Sequence, residues 1–256
     1  MSRLHTTDLL ARYYLTDRLP TIWCPGCGLG TATAAVLRGF AQTGIERDKT
    51  VLVNGIGCSG RTAAYLDFDV LKGTHGRAIA FATGIKLYRP ELTVIVMAGD
   101  GDTLAIGGNH FIHAARRDVG ITVILFNNQI YGMTGGQVSP TTPLGGRAST
   151  APAGSRERAF DPCRLALAAG ASFVARATAY HSQLLTGLVR DALLHPGFAL
   201  VEVISQCPQQ YGRRNRSGTA ADMLRWQKEH AVRVQEAANL GPEELAGEFV
   251  IGRLVG

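Results

Sequence analysis

The chain has 256 residues, 46% of them hydrophobic and 18% charged, with a formal net charge of +6. That size and balance fit one globular α/β domain with an elaborated tail and argue against a disordered chain. The apolar runs are too short to span a bilayer, and no charged-then-apolar leader opens the sequence, so a cytoplasmic protein that neither enters a membrane nor binds nucleic acid is expected. The basic residues are scattered apart from Arg213-Arg214-Asn215-Arg216, and no nucleic-acid motif accompanies that cluster.

In chain order, residues 1–20 read as a lead-in with the aromatic anchors Tyr13 and Tyr14. Trp23-Cys24-Pro25-Gly26-Cys27-Gly28 follows, then a helix with Leu29, Ala32, Val36, Leu37 and Phe40 at helical spacing and Gly44 at its end. Residues 51–54 form a short buried strand that runs into a Gly-rich loop, Gly55-Ile56-Gly57-Cys58-Ser59-Gly60-Arg61. Thr74-His75-Gly76-Arg77 opens a second helix that ends before Pro90. His75 could donate to a diphosphate from there, or cap its own helix.

Two unbroken apolar runs come next, 92–98 and 121–126, separated by a helix over 107–118. Runs of this kind mark strands covered on both faces, and two such strands joined by a helix are parallel. The first ends in Gly99-Asp100-Gly101-Asp102 and the second in Asn127-Asn128. Ligands bind beyond the carboxyl ends of parallel strands, so the fold should bring both clusters together. A carboxylate, a carboxamide oxygen and backbone carbonyls are hard oxygen donors suited to Mg²⁺ with a phosphate, and glycines let backbone approach that phosphate closely. After Gln129-Ile130-Tyr131-Gly132-Met133-Thr134-Gly135-Gly136, residues 139–158 form a long loop over the site or against a partner.

Asp161-Pro162 supplies an N-cap and first position for another helix, 173–177 and 198–205 read as strands, and 181–195 as an amphipathic helix. The expected fold is therefore α/β, a mostly parallel sheet with helices on both faces, over residues 1–212. A C-terminal tail, 213–256, is expected to pack on that domain or on a partner. In it, Thr219 with Asp222 signals a helix to about Ala238, a turn and short helix follow at 241–245, and 249–255 is a closing strand.

Four cysteines fall where chemistry could gather: Cys24 and Cys27 in a C-x-x-C, Cys58 and Cys207 each just past a strand. Thiols in this compartment are metal-binding or reactive more often than disulfide-bonded. Four thiolates suit zinc or an iron–sulfur cluster equally, and spacing alone leaves both open, as well as neither. The fifth, Cys163, reads as a buried apolar residue at a helix start.

Gly-Asp-Gly followed at the right spacing by Asn-Asn resembles the thiamine diphosphate enzymes. Cys-Pro-Gly-Cys-Gly, Gly-Ile-Gly-Cys-Ser, His-Gly-Arg, Gly-Asp-Gly-Asp, Asn-Asn-x-x-Tyr-Gly-Met-Thr-Gly-Gly-Gln and a late Cys-Pro together resemble the β subunits of the 2-oxoacid:ferredoxin oxidoreductases, over about residues 20–255. That resemblance implies a thiamine diphosphate-binding fold of the diphosphate-side type. It implies Mg²⁺ on Asp100, Asn128 and the Ile130 carbonyl, and thiamine diphosphate lined by Ile56, Gly57, Cys58, Ser59, His75, Gly101, Asp102, Gly132 and Met133. It implies a [4Fe–4S] cluster on Cys24, Cys27, Cys58 and Cys207. Arg61, with a planar fork matched to a carboxylate, is the candidate for the substrate. Many relatives carry Ser where this chain has Gly60, a departure expected to cost no cofactor binding.

The implied reaction is CoA-dependent oxidative decarboxylation of a 2-oxoacid with electrons passed to ferredoxin, or its reverse. 2-Oxoglutarate is favoured, giving succinyl-CoA and CO₂; pyruvate or a broad 2-oxoacid range is the alternative, and a non-catalytic zinc-stabilised scaffold is the alternative of another class. The family's cofactor-activating glutamate lies on a separate pyrimidine-binding domain, so an α subunit is the expected partner, as a heterodimer or a dimer of heterodimers.

Overall fold

The computed structural model describes residues 6–256. Eight strands form one sheet: β1 (Thr50–Asn54), β2 (Asp69–Lys72), β3 (Thr93–Gly99), β4 (Thr122–Asn127), β5 (Phe173–Thr178), β6 (Ala199–Ile204), β7 (Ala231–Arg233) and β8 (Phe249–Val255). Their spatial order is β2-β1-β3-β4-β6-β5-β8-β7. The first six are parallel to one another, β8 runs antiparallel beside β5, and β7 pairs parallel with β8.

The unbroken apolar runs have the reason expected of them. In β3, Val94, Val96 and Ala98 face one side while Ile95 and Met97 face the other, and all are buried. Six helices make those two coats: α1 (Thr6–Tyr13), α2 (Gly28–Ala41), α3 (Ala78–Tyr88), α4 (Gly108–Arg116), α5 (Pro162–Ala169) and α6 (Ser182–Leu194). Helices α1, α2 and α6 close one face through Leu9, Val36, Phe40 and Val189, and α3, α4 and α5 the other through Ile79, Phe111 and Ala166. No helix of the described residues is long and apolar enough to cross a membrane.

Local chemistry sets the ends. Asp161 Oδ1 accepts from the amides of Cys163 at 2.9 Å and Arg164 at 3.0 Å, with Pro162 at the first position of α5, and Gly170 closes that helix at φ 91°. Three elements differ from the sequence expectation. Strand β2 went unread because it is an exposed edge, Asp-Val-Leu-Lys, with no apolar run. After the three-residue turn α7 (Arg213–Asn215), the helix α8 (Ala220–Glu229) starts at the expected Thr219–Asp222 capping box but stops at His230 rather than near Ala238. There the chain becomes β7, whose pairing with β8 outweighs helix continuation, and only then turns into α9 (Val234–Ala237). Residues 241–245 are a turn without a helix.

Cys163 is buried in the apolar core as expected, and it also touches a buried charged pair that the sequence did not show. Arg176 and Glu202 are direct partners across β5 and β6, with Nε 2.6 Å from Oε2 and side chains 9% and 1% exposed. Arg176 Nη2 reaches Asp161 Oδ1 at 2.5 Å, and Cys163 Sγ lies 3.2 Å from Glu202 Oε2. Burial, then the Glu202 carboxylate, pushes the Cys163 thiol well above its usual value. Removing one member of such a pair strands the other. Arg176→Met is expected to lower urea stability by about 3–5 kcal/mol, and Arg176→Met/Glu202→Leu to recover most of it; equal losses in the two variants would show that the pair is not coupled.

Candidate functional site

The sheet reverses its direction of growth between β1 and β3: the chain leaves β1 for β2 on one side and returns to β3 on the other. Crevices open at the carboxyl ends of strands at such points. One does here, lined by Ile56, Gly57, Cys58 and Ser59 after β1, by His75, by Gly99, Asp100, Gly101 and Asp102 after β3, and by Asn128, Ile130, Tyr131, Gly132, Met133 and Thr134 after β4. Leu29 and Phe126 complete its wall. All the residues expected at a thiamine diphosphate and Mg²⁺ site are therefore brought together. Arg61 is not: it is exposed and lies outside the cleft lining.

The Gly-Asp-Gly-Asp segment turns directly from strand into helix. The chain is helical from Asp100, and the wider turn Asp102–Ile106 precedes α4. This puts two buried carboxylates on the cleft with different duties. Asp102 Oδ1 accepts from the Gly76 amide at 2.8 Å and lies 2.5 Å from His75 Nδ1. It thereby fixes the turn that carries His75, which precedes α3 instead of capping it. Asp100 Oδ2 accepts from Ser139 Oγ at 2.6 Å and Thr141 Oγ1 at 2.5 Å, and burial raises its carboxyl above the usual range. A buried carboxylate of this kind is stabilised as an anion only by donors or a cation.

After β4 the backbone folds back on its own side chains. Asn127 Oδ1 accepts from the Gln129 amide at 3.1 Å and Asn128 Oδ1 from the Ile130 amide at 3.2 Å, with Gln129 in the left-handed region at φ 62°. Asparagine suits this because its side chain mimics a backbone turn. Tyr131 then reaches across to donate from its hydroxyl to the Gly101 carbonyl at 3.1 Å, and a Cβ on Gly101 would overlap its ring. Tyr131, Ser139 and Thr141 were missed as site residues. Tyr131 stood inside a quoted motif, whereas nothing in a Pro/Thr/Ser-rich loop marks which hydroxyls face inward.

The four thiols sit on the same edge. The Gly28 amide donates to the Gln206 carbonyl at 3.1 Å and Gln206 Nε2 to the Gly26 carbonyl at 3.0 Å, which ties the C-x-x-C turn to the Cys207 loop. Trp23 Nε1 donates to the Cys58 carbonyl at 2.9 Å. Gly132 lies between two of them: a Cβ there would stand 3.5 Å from Cys58 Sγ and 3.6 Å from Cys207 Sγ. Burial pushes Cys27 up to about 12 and Cys58 up to about 11, and neighbouring thiols add to both shifts. Bound metal reverses that situation, because a coordinating thiol is deprotonated outright.

Residues 55–203 match the thiamine pyrophosphate enzyme C-terminal TPP-binding domain. The 2-oxoglutarate synthase subunit KorB of Methanocaldococcus jannaschii is 50% identical over 244 residues, 95% of this chain and 90% of that protein. KorB of Archaeoglobus fulgidus is 53% identical over 220 residues, 86% of this chain and 80% of that protein. The solved 2-oxoglutarate:ferredoxin oxidoreductase from Magnetococcus marinus, with 2-oxoglutarate, coenzyme A and succinyl-CoA bound, superposes with a TM-score of 0.85 at 35% identity. That match covers 96% of this chain and 84% of that one.

Gly60 shows how little slack the first loop has. Asn54 Nδ2 donates to its carbonyl at 3.1 Å, and a Cβ on it would overlap the Gly55 carbonyl oxygen. The loop therefore could not take serine here without moving. Gly60→Ser is expected to weaken thiamine diphosphate binding by about 1–3 kcal/mol, roughly 5- to 150-fold, with far-UV circular dichroism unchanged. Calorimetric titration with an unchanged affinity would contradict this placement of the loop.

Proposed function

Because the chain belongs to the β subunits of the 2-oxoglutarate:ferredoxin oxidoreductases, the KorB family, we propose that, with its partner subunit, it catalyses the CoA-dependent oxidative decarboxylation of 2-oxoglutarate to succinyl-CoA and CO₂. A [4Fe–4S] cluster, which Cys24, Cys27, Cys58 and Cys207 would hold, would supply the route for the electrons to ferredoxin, and the reverse carboxylation would use the same parts. The observation that carries this reading is an overlap: Cys58 lines the cleft and also belongs to the thiol quartet, and Gly132 lines the cleft beside Cys58 and Cys207. The place for carbon chemistry and the place for electron transfer share a wall.

The residues fit the groups. For thiamine diphosphate, Gly57 at φ 111° has open space around its Cβ position, and the helical turn starting at Asp100 presents backbone amides to a diphosphate. For Mg²⁺, Asp100, the Asn128 side chain and the Ile130 carbonyl give the hard oxygen set such an ion takes beside phosphate. For the cluster, the spacing of the thiols supports iron–sulfur over zinc. Tetrahedral zinc with bonds near 2.3 Å holds its sulfurs about 3.8 Å apart. Among the described residues, the one trio of His, Cys, Asp or Glu donors whose ligand atoms all lie within 4.8 Å of one another is Asp161, Cys163 and Glu202, and no three of the four thiols approach so closely. Cluster cysteines each hold a different iron and stand further apart. The tight trio has the Arg176 guanidinium as its cation.

When bound, thiamine diphosphate supplies the nucleophilic carbon for a keto group and a sink for the electron pair released with CO₂, and the cluster supplies one-electron steps. This chain's residues do the rest. Asp100, Asn128 and Ile130 hold the cation that anchors the diphosphate. Asp102 keeps His75 aimed into the cleft, where its ring can donate to a phosphate oxygen. Leu29 and Phe126, both buried, give the cleft an apolar wall. Arg61, exposed on this chain, is proposed to meet the substrate carboxylate once the partner subunit closes the cleft.

Iron, acid-labile sulfide and zinc measured per chain on the anaerobically co-purified complex test this reading. About four iron and four sulfide are expected, as in one such cluster. Cys58→Ser should lose that iron, and Cys163→Ser should keep it. One zinc without sulfide would remove the electron-transfer function and leave the zinc-stabilised scaffold.

A further inference from the structure

The Ser139-Pro140-Thr141-Thr142-Pro143 segment lies outside every motif the cofactors account for, yet its hydroxyls converge on the ends of β3 and β4. The Thr142 amide donates to the Ser139 carbonyl at 3.0 Å, Thr142 Oγ1 accepts from the Ser139 amide at 2.9 Å, and the same hydroxyl donates to the Gln129 carbonyl at 2.6 Å. The result is a closed turn, stiffened by two prolines that restrict the unfolded chain. Ser139 Oγ and Thr141 Oγ1 both fall on one oxygen of Asp100, Oδ2. The other oxygen, Oδ1, receives neither hydroxyl.

Thr141 is itself held from behind. Its Oγ1 also lies 2.9 Å from Asn127 Oδ1. The Asn127 amide has only one sensible orientation, because Nδ2 donates to Glu202 Oε1 at 2.7 Å and Oδ1 accepts from the Gln129 amide. Glu202 is fixed in turn by Arg176. A run of buried polar contacts thus leads from the Arg176–Glu202 pair to Asp100 by way of Asn127 and Thr141, whose single hydroxyl proton is shared between Asn127 Oδ1 and Asp100 Oδ2. Asn127, the first asparagine of the pair, serves this run, while Asn128 lines the cleft.

We infer that Ser139 and Thr141 are positioning residues for the metal ligand Asp100: their hydroxyls occupy Oδ2, turn Oδ1 toward the cation, and couple the 139–158 loop to metal occupancy. The inference rests on the reading of Asp100 as a Mg²⁺ ligand. Outer partners of metal ligands set ligand orientation, and their loss typically costs 10–100-fold in metal affinity.

The test uses the co-purified complex, freed of thiamine diphosphate and Mg²⁺ by anaerobic gel filtration. Thiamine diphosphate binding is followed by calorimetry at stepped Mg²⁺ concentrations, beside the thermal midpoint without Mg²⁺. Thr141→Val should raise the Mg²⁺ concentration needed by about 10–100-fold, Ser139→Ala should raise it less, and Thr141→Ser should restore it. Mg²⁺ with thiamine diphosphate should also protect the wild-type loop from trypsin at the exposed Arg156 and Arg158, and fail to protect it in Thr141→Val. A merely structural hydroxyl would lower the thermal midpoint and leave the Mg²⁺ requirement alone, which would overturn the inference. Asp100→Asn separates the two claims. If it leaves the Mg²⁺ requirement unchanged, the reading of Asp100 fails; if it raises that requirement or abolishes Mg²⁺-dependent binding while Thr141→Val does nothing, only the positioning role fails.

Discussion

A buried carboxylate stands at the end of β3, on the wall of the cleft. Asp100 is 3% exposed, and its location follows from the parallel sheet. Six parallel strands deliver their carboxyl ends to one edge, and the reversal of strand order between β1 and β3 opens a crevice there. A charge buried in that position must be answered by its surroundings. The hydroxyl turn, the paired asparagines and the glycines that let backbone close in are that answer, and each comes from a different loop.

The second feature of the edge is economy of distance. The β1 loop contributes Cys58 both to the cleft and to the thiols, and the β4 loop brings Gly132 between them. A Cβ at 132 would stand in van der Waals contact with the sulfurs of both Cys58 and Cys207, so the cleft and the thiols adjoin at this residue. A backbone bond from Gly28 to Gln206 and a side-chain bond from Gln206 to Gly26 bring the remaining thiols to the same place from distant parts of the chain. Sulfur placement is thus a property of strand ends as much as of the C-x-x-C spacing.

Most of this was legible because it is written in periodicity and strand-end chemistry. The runs at 92–98 and 121–126 have no polar alternation because both faces are covered, and the residues after them had to share an edge. What stayed hidden depends on partners remote in sequence. Cys163 is buried in the core as expected, but its contact with Glu202, from a neighbouring strand, leaves no mark in the local sequence. Thr141 looks like loop composition until its hydroxyl is seen on Asp100, 41 residues away. Strand β2 and the early end of α8 were missed for a related reason: edge pairing, not local pattern, decides both.

The central claim is that this cleft oxidises 2-oxoglutarate and hands its electrons to the neighbouring thiol-bound cluster. The direct measurement is the visible absorption of the anaerobic complex on mixing with 2-oxoglutarate and CoA, with no external acceptor. The account predicts bleaching of the iron–sulfur band by 2-oxoglutarate plus CoA and little by pyruvate plus CoA. Bleaching by pyruvate alone would contradict the substrate, and an unbleached cluster in a complex with thiamine diphosphate and Mg²⁺ bound would contradict the shared wall between carbon chemistry and electron transfer.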